Sequence, residues 1–171
     1  MPLVEVIHPE GSFDRATRED LLSELSAICL RWEGIESTDS SQSIAWVYLD
    51  ERPAGSIAAG GKPLSQNIYL VNVRVMAGFM DYERIEGMAA ELTHAILEAD
   101  GTGGTGDARV FVILEEVPSG TWAVDGKVWP SVFAAETLGL ERGRVKRMDD
   151  AIRSRPRLDV PADVATTSLS G

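Results

Sequence analysis

Leu3 to Ile7, LVEVI, is an apolar, β-branched run with one charge, which predicts a strand. The period then changes: Leu21, Leu25, Ile28, Cys29 and Trp32 fall on one stripe of a helix that Gly34 ends. Ile44 to Leu49 returns to strand spacing, so this stretch reads strand, helix, strand. The pattern then recurs. Ile68 to Val75 predicts a third strand, Asp81 caps a helix with Ile85, Met88, Ala89, Leu92 and Ile96 on its buried stripe, and Val110 to Leu114 predicts a fourth strand. The link from Asp100 to Asp107, DGTGGTGD, is glycine-rich and predicts a turn or mobile loop.

The recurrence is written in the residues themselves. WVYLDERPAGSIAAGGKP, from Trp46, aligns without a gap on FVILEEVPSGTWAVDGKV, from Phe111. Val47 meets Val112, Leu49 meets Leu114, Glu51 meets Glu116, Pro53 meets Pro118, Gly55 meets Gly120, Gly61 meets Gly126 and Lys62 meets Lys127. The glutamates recur at both strand ends, which implies a structural role. A βαβ unit joins two parallel strands through a right-handed crossover helix and leaves one sheet face bare. Two such units predict an α+β fold: a duplicated βαβ, with a four-stranded sheet and two helices on one face. The bare face needs cover, and self-association supplies it. The domain is expected to span residues 1–130, with halves at 1–65 and 66–130. Beyond it, residues 131–171 predict a C-terminal extension: a short helix over Ser131 to Gly139, a charged helix in ERGRVKRMDDAIRSR, and a tail. This extension is expected to wrap a neighbouring subunit or to be partly disordered.

Composition narrows the partners. The 171 residues carry a formal charge of −11, from 16 Lys and Arg against 27 Asp and Glu. That balance argues against nucleic acid and anionic membrane, both of which reward clustered cations. No apolar run approaches the roughly 20 residues of a membrane helix, and the start lacks a secretory signal. The single cysteine, Cys29, excludes an internal disulfide and fits a reducing compartment, so a cytoplasmic protein is expected. Cys29 lies on the apolar stripe and reads as a small core residue. His8 and His94 lack a third ligand at sensible spacing, so no metal site is expected.

The opening residues, MPLVEV, pose the chemical question. Removal of Met1 would free Pro2 as a secondary amine, whereas inside a peptide bond Pro2 only fixes φ at an edge-strand start. MPLVEV, the strand-plus-glycine motif in both halves, and VFVILEEVPSGTWAVDG together resemble the tautomerase superfamily, which includes 4-oxalocrotonate tautomerase, malonate semialdehyde decarboxylase and the 3-chloroacrylic acid dehalogenases. The resemblance covers residues 2 to 130 and not the extension. It implies a homotrimer without a cofactor, in which an amino-terminal proline is catalytic. By that resemblance Pro2 is the catalytic proline, Arg74 the arginine that holds a substrate carboxylate, Trp122 an aromatic wall of the pocket, and Asp39 an acidic residue ahead of the second strand. The chain also departs from the specialised members. Met76 stands where the decarboxylases carry a second arginine; Val124, beside Asp125, stands where the cis-type dehalogenases carry a glutamate; and Ile113 replaces their tyrosine.

The implied chemistry follows from acid–base behaviour. An α-amino group titrates near 8, and burial in an apolar pocket beside an arginine lowers that value toward neutrality. Pro2 then serves as a general base, while Arg74 steadies the carboxylate and the developing enolate. The expected function is an isomerase, a keto–enol tautomerase acting on a small unsaturated or 2-oxo carboxylic acid. The alternatives are dehalogenation, hydration or decarboxylation of a three-carbon acid through the same proline, and a non-catalytic ligand-binding trimer. A retained Met1 would acylate Pro2 and favour the last.

Overall fold

Alternation along the strands decides which side chains meet the helices. The structure is a computed structural model describing residues 2–101 and 108–153. In chain order its elements are β1 (Leu3–Pro9), α1 (Arg15–Glu33), the short α2 (Asp39–Gln42), β2 (Trp46–Arg52), a two-strand hairpin of β3 (Ala58–Ala59) and β4 (Lys62–Pro63), β5 (Tyr69–Met76), α3 (Tyr82–Ala99), β6 (Val110–Val117), a second hairpin of β7 (Ala123–Val124) and β8 (Lys127–Val128), α4 (Ser131–Thr137) and α5 (Arg142–Arg153). The main sheet has the order β2-β1-β5-β6. Its two βαβ pairs, β1 with β2 and β5 with β6, are parallel and meet back to back through the antiparallel β1–β5 pair.

Val4 and Val6 from β1 and Val71, Val73 and Val75 from β5 turn toward α1 and α3, where Leu21, Leu25 and Ile28 meet Met88, Leu92 and Ile96 in one core. Cys29 lies in it, fully buried. The helices close on each other at Gly87, where a Cβ would come within 2.1 Å of the Trp32 ring. Among the described residues, no helix covers the opposite sheet face. Its outer strands expose Trp46, Tyr48, Phe111 and Ile113.

The ends of the elements have local causes. The Asp14 carboxylate accepts from the Thr17 N–H, and Asp81 caps α3 by accepting from the Arg84 N–H. Gly34, at φ +74, ends α1: its N–H reaches the Arg31 carbonyl and the Ile35 N–H reaches Leu30, while the Leu30 and Ile35 side chains pack together. The repeated glutamates have one task in both halves. Glu51 accepts from the Gly11 N–H at 2.7 Å, and Glu116 from the Gly78 N–H at 2.9 Å, so each ties the end of its strand to the turn that enters the helix of its own half.

The extension forms helices where the sequence predicts them, and α4 and α5 pack on their own chain, placing Ala134, Ala135, Leu140, Val145 and Met148 in one core with Leu30, Ile35, Met76 and Phe79. This second core explains why Leu30 and Glu33, off the predicted stripe, are buried. Part of the glycine-rich link, 102–107, and the predicted tail, 154–171, lie outside the described residues.

Candidate active site

Pro2 shares the parity of Val4 and Val6, so its ring lies on the covered side of the sheet, and it is buried. The Trp46 N–H donates to its carbonyl at 3.2 Å and holds it beside the start of β2. A cavity of about 490 Å³ opens here, walled by Pro2, Ile44, Trp46, Trp122, Val124 and Asp125. The hairpin β7–β8 brings Trp122 to the cavity, and the Trp129 N–H on the Trp122 carbonyl at 2.8 Å pins its base. Asp125, in the turn before Gly126, takes φ +49, a value uncommon for a residue with a side chain. Of the four residues singled out from the sequence, the fold therefore brings Pro2 and Trp122 together.

Arg74 and Asp39 are not among the described residues lining that cavity. Arg74 stands directly across the sheet from Leu3, next to Pro2 in the chain but on the bare face. Its guanidinium holds Glu115 at 3.1 Å and Glu5 at 3.4 Å. Asp39 opens α2 and is exposed; α2 instead delivers Ser43 and Ile44 to the cavity wall.

Behind the cavity, topology carries the end of α1 over the beginning of β1. Glu33 is 0% exposed there. Burial pushes its carboxyl above the usual range, against the opposing pull of Arg144. The backbone carbonyls of this helix end are capped by two arginines: Arg144 donates to Glu33 at 2.8 Å and Arg84 to Trp32 at 2.6 Å. Arg144 also donates to the Phe79 carbonyl and lies 5.7 Å over the Phe79 ring. Burial, with the nearby Glu33 charge, pushes the Cys29 thiol up, which makes it unreactive.

The opposite end of the sheet holds the counterpart of Pro2 in the second half. Superposing β1–β2 on β5–β6 by register places Tyr69 at that position. Tyr69 is buried and its hydroxyl donates to Asp100, which also pairs with the Arg109 guanidinium and accepts from Asn67. Burial and then Asp100 push the Tyr69 phenol up to about 12. The neighbouring cavity, about 310 Å³, offers Glu10 as its one titratable side chain among the described lining residues. The two ends are thus chemically unlike.

Sequence reasoning passed over Glu33, Asp100 and Arg109 as site-forming residues. A glutamate just before a helix-ending glycine reads as solvent-facing, and only the packing of α4 and α5 buries it. The Asp100–Arg109 pair spans the glycine-rich link, which advertises a turn and not an ion pair.

No family model matches the sequence, and no curated protein matches it significantly. Solved structures do. A symmetric trimer of fused 4-OT is 22% identical with a TM-score of 0.62, over 77% of this chain and 98% of that one. A protein inactivated by 2-oxo-3-pentynoate is 20% identical with a TM-score of 0.63, over 80% and 98%. N1, a member of the cis-3-chloroacrylic acid dehalogenase family, is 13% identical with a TM-score of 0.64, over 86% and 99%. At these identities the likeness speaks to architecture: the chain has the fold of the fused 4-OT and of the cis-3-chloroacrylic acid dehalogenase family member.

Proposed function

We propose that this protein is a cofactor-independent proton-transfer enzyme for a small 2-oxo or unsaturated carboxylic acid, with Pro2 as the acid–base group once Met1 is removed. The observation that carries the reading is the burial of Pro2 at a cavity walled by Trp46, Trp122, Ile44 and Val124. An amine in such surroundings favours its neutral form and is a base near neutral pH. In the tautomerase reaction it takes the enol hydroxyl proton of a 2-hydroxy-2-enoate and returns a proton to C3, giving the 2-oxo acid with no net change in atoms or charge. Trp122, and Trp46 once assembly covers the bare face, would keep water from that exchange. Arg74 is the proposed carboxylate holder. It lies one residue across the sheet from Pro2, and a substrate carboxylate would take the place of Glu115, the more exposed of its two partners.

The fold is also the basis for proposing a homotrimer. The fused 4-OT solved as a symmetric trimer shares the fold, and the bare face here exposes Trp46, Tyr48, Phe111 and Ile113, an apolar patch that assembly would cover.

The test is ketonisation of the enol of phenylpyruvate by the processed protein and by Pro2→Ala. A fall in kcat/KM of at least about 100-fold is expected from the loss of a general base. Equal rates would remove Pro2 from the reaction. Asp125 in the cavity wall favours one second reading, hydration or dehalogenation, because a carboxylate there has the position to activate a water. Halide release from 3-haloacrylates, lost in Asp125→Asn, would support it.

A further inference from the structure

The internal repeat accounts for the chain as far as Val128: after β4 the chain passes to β5, whereas after β8 it adds α4 and α5. The added helices settle at one end of the molecule. β1 begins there, β5 and α1 finish there, and it is the end that holds Pro2 and its cavity. Four glycines show the contrast between the ends. Gly34 and Gly78, at φ +74 and +87, make the turns on the Pro2 side, and Gly11 and Gly101 make the corresponding turns on the other. A Cβ on Gly34 would meet the Arg144 guanidinium at 2.8 Å, and one on Gly78 would meet the Met148 side chain at 2.8 Å. On Gly11 and Gly101 it would meet nothing within 4 Å among the described residues. Arg144 and Met148 are neighbours on one face of α5, so that helix is seated on both turns of the Pro2 end and on neither turn of the other.

From these anchors the contacts lead into the cavity wall. One Arg144 nitrogen donates to the Glu33 carbonyl at 2.8 Å and the other to the Phe79 carbonyl, so a single planar group joins the end of α1 to the turn after β5. Further along the segment that leaves α1, Ser43 and Ile44 line the cavity. On the hairpin side the Trp129 N–H holds the Trp122 carbonyl, and the Ser131 N–H, at the start of α4, donates to the Ser119 hydroxyl at 3.0 Å. Three apolar walls of the cavity, Ile44, Trp122 and Val124, accordingly pack against the core that Leu140, Val145 and Met148 help to build.

We propose that the C-terminal extension is part of the substrate pocket, with Arg144 and Met148 as positioning residues: seated on the Gly34 and Gly78 turns, they fix the Ile44 and Trp122 walls around the substrate. This rests on the reading of the Pro2 cavity as the substrate site given above. Neither side chain is among the described residues lining the cavity, so each acts through the walls and not on the reacting atoms. The physical logic is preorganisation. A wall held in place before the substrate arrives needs no ordering on binding, and a loosened wall weakens binding of ground state and transition state alike. The effect therefore falls on KM and spares kcat.

The test is Arg144→Lys in the processed, full-length protein. Lysine keeps the charge but presents one nitrogen in place of the fork, so it does not hold the Glu33 and Phe79 carbonyls together in the same geometry. KM for the enol of phenylpyruvate is expected to rise at least about fivefold, with kcat within about twofold of the unsubstituted value. The Trp122 indole N–H resonance is expected to shift in the ¹H–¹⁵N spectrum without substrate. Lys146→Ala, on the exposed side of α5, is expected to move neither. A variant that melts earlier with KM and the Trp122 resonance unchanged would leave the extension a stabilising role only and overturn the proposal, as would an equal change in Lys146→Ala. If Arg144→Lys does not fold, hydrogen exchange in the unsubstituted protein decides: phenylpyruvate is expected to slow exchange of the Val145 and Met148 amides, and unaltered exchange there overturns the proposal. The two readings fail separately. Equal ketonisation rates in Pro2→Ala remove the proline from the reaction, while the Trp122 resonance, which needs no turnover, still answers for the extension.

Discussion

His8 shows how one buried side chain makes the fold sensitive to pH. It is 0% exposed, its Nδ1 donates to the Pro9 carbonyl at 3.0 Å, and its Nε2 has no partner among the described residues. That arrangement fits a neutral imidazole, and burial lowers its pKa. Below about pH 6.5 the unfolded chain binds a proton that the folded chain refuses, so stability is complete above that pH and declines below it, by at most about 1.4 kcal/mol per pH unit. Register gives His8 the position that Val75 holds in the second half. His8→Val is expected to flatten the fall in melting temperature between about pH 6.5 and 5, while an unchanged slope would assign the loss to other groups. Glu33 contributes with the opposite sign. Its raised carboxyl keeps a proton that the unfolded chain releases above about pH 4.3, so that part of the stability is lost as pH rises from there. At this scale the motif singled out Pro2 and Trp122, which line one cavity, and it hid the burial of Glu33, whose backbone carbonyl is capped by Arg144 more than a hundred positions away.

The helices and strands were more legible than their surroundings, for a physical reason. Caps and apolar stripes are local, so Asp81, Gly34 and the stripes through Leu25 and Leu92 could be read directly. The repeated glutamates were visible as repetition, and their bond to a turn glycine needed coordinates. The contact between the helices is a tertiary matter. Gly87 sits against the Trp32 ring so closely that a methyl group would overlap it. Gly87→Ala gains intrinsic helix propensity, worth about 1 kcal/mol, yet overpacking costs typically 1–3 kcal/mol, so net destabilisation of up to roughly 2 kcal/mol is expected in urea unfolding. A more stable variant would mean that the two helices can part without loss. The helices of the extension were legible and their docking was not: Leu140, Val145 and Met148 show an apolar face without naming what it covers, and that face meets Leu30 and Phe79 of the same chain.

The whole molecule leaves one large surface unexplained by its own packing. Phe111 is 67% exposed and Trp46 59% on the face opposite the helices. Phe111→Glu would place a charge in any assembly built on this face, so the mass in solution is expected to fall from three times 18.5 kDa to the single-chain value with the circular dichroism unchanged. A trimer that survives the substitution would have to bury another surface. Duplication made the sheet readable from spacing alone, yet it also invited the expectation of two equivalent ends. Tyr69, Asp100 and Arg109 break that equivalence through long-range partners. The outcome is a count. Each chain has two pseudo-equivalent strand starts and a single amine to offer, the second start being stoppered by a phenol held in an ion pair. A reagent that alkylates a processed amino terminus is therefore expected to leave the second strand start, where Tyr69 stands in place of an amine, unmodified, so the doubled framework is masonry at that end.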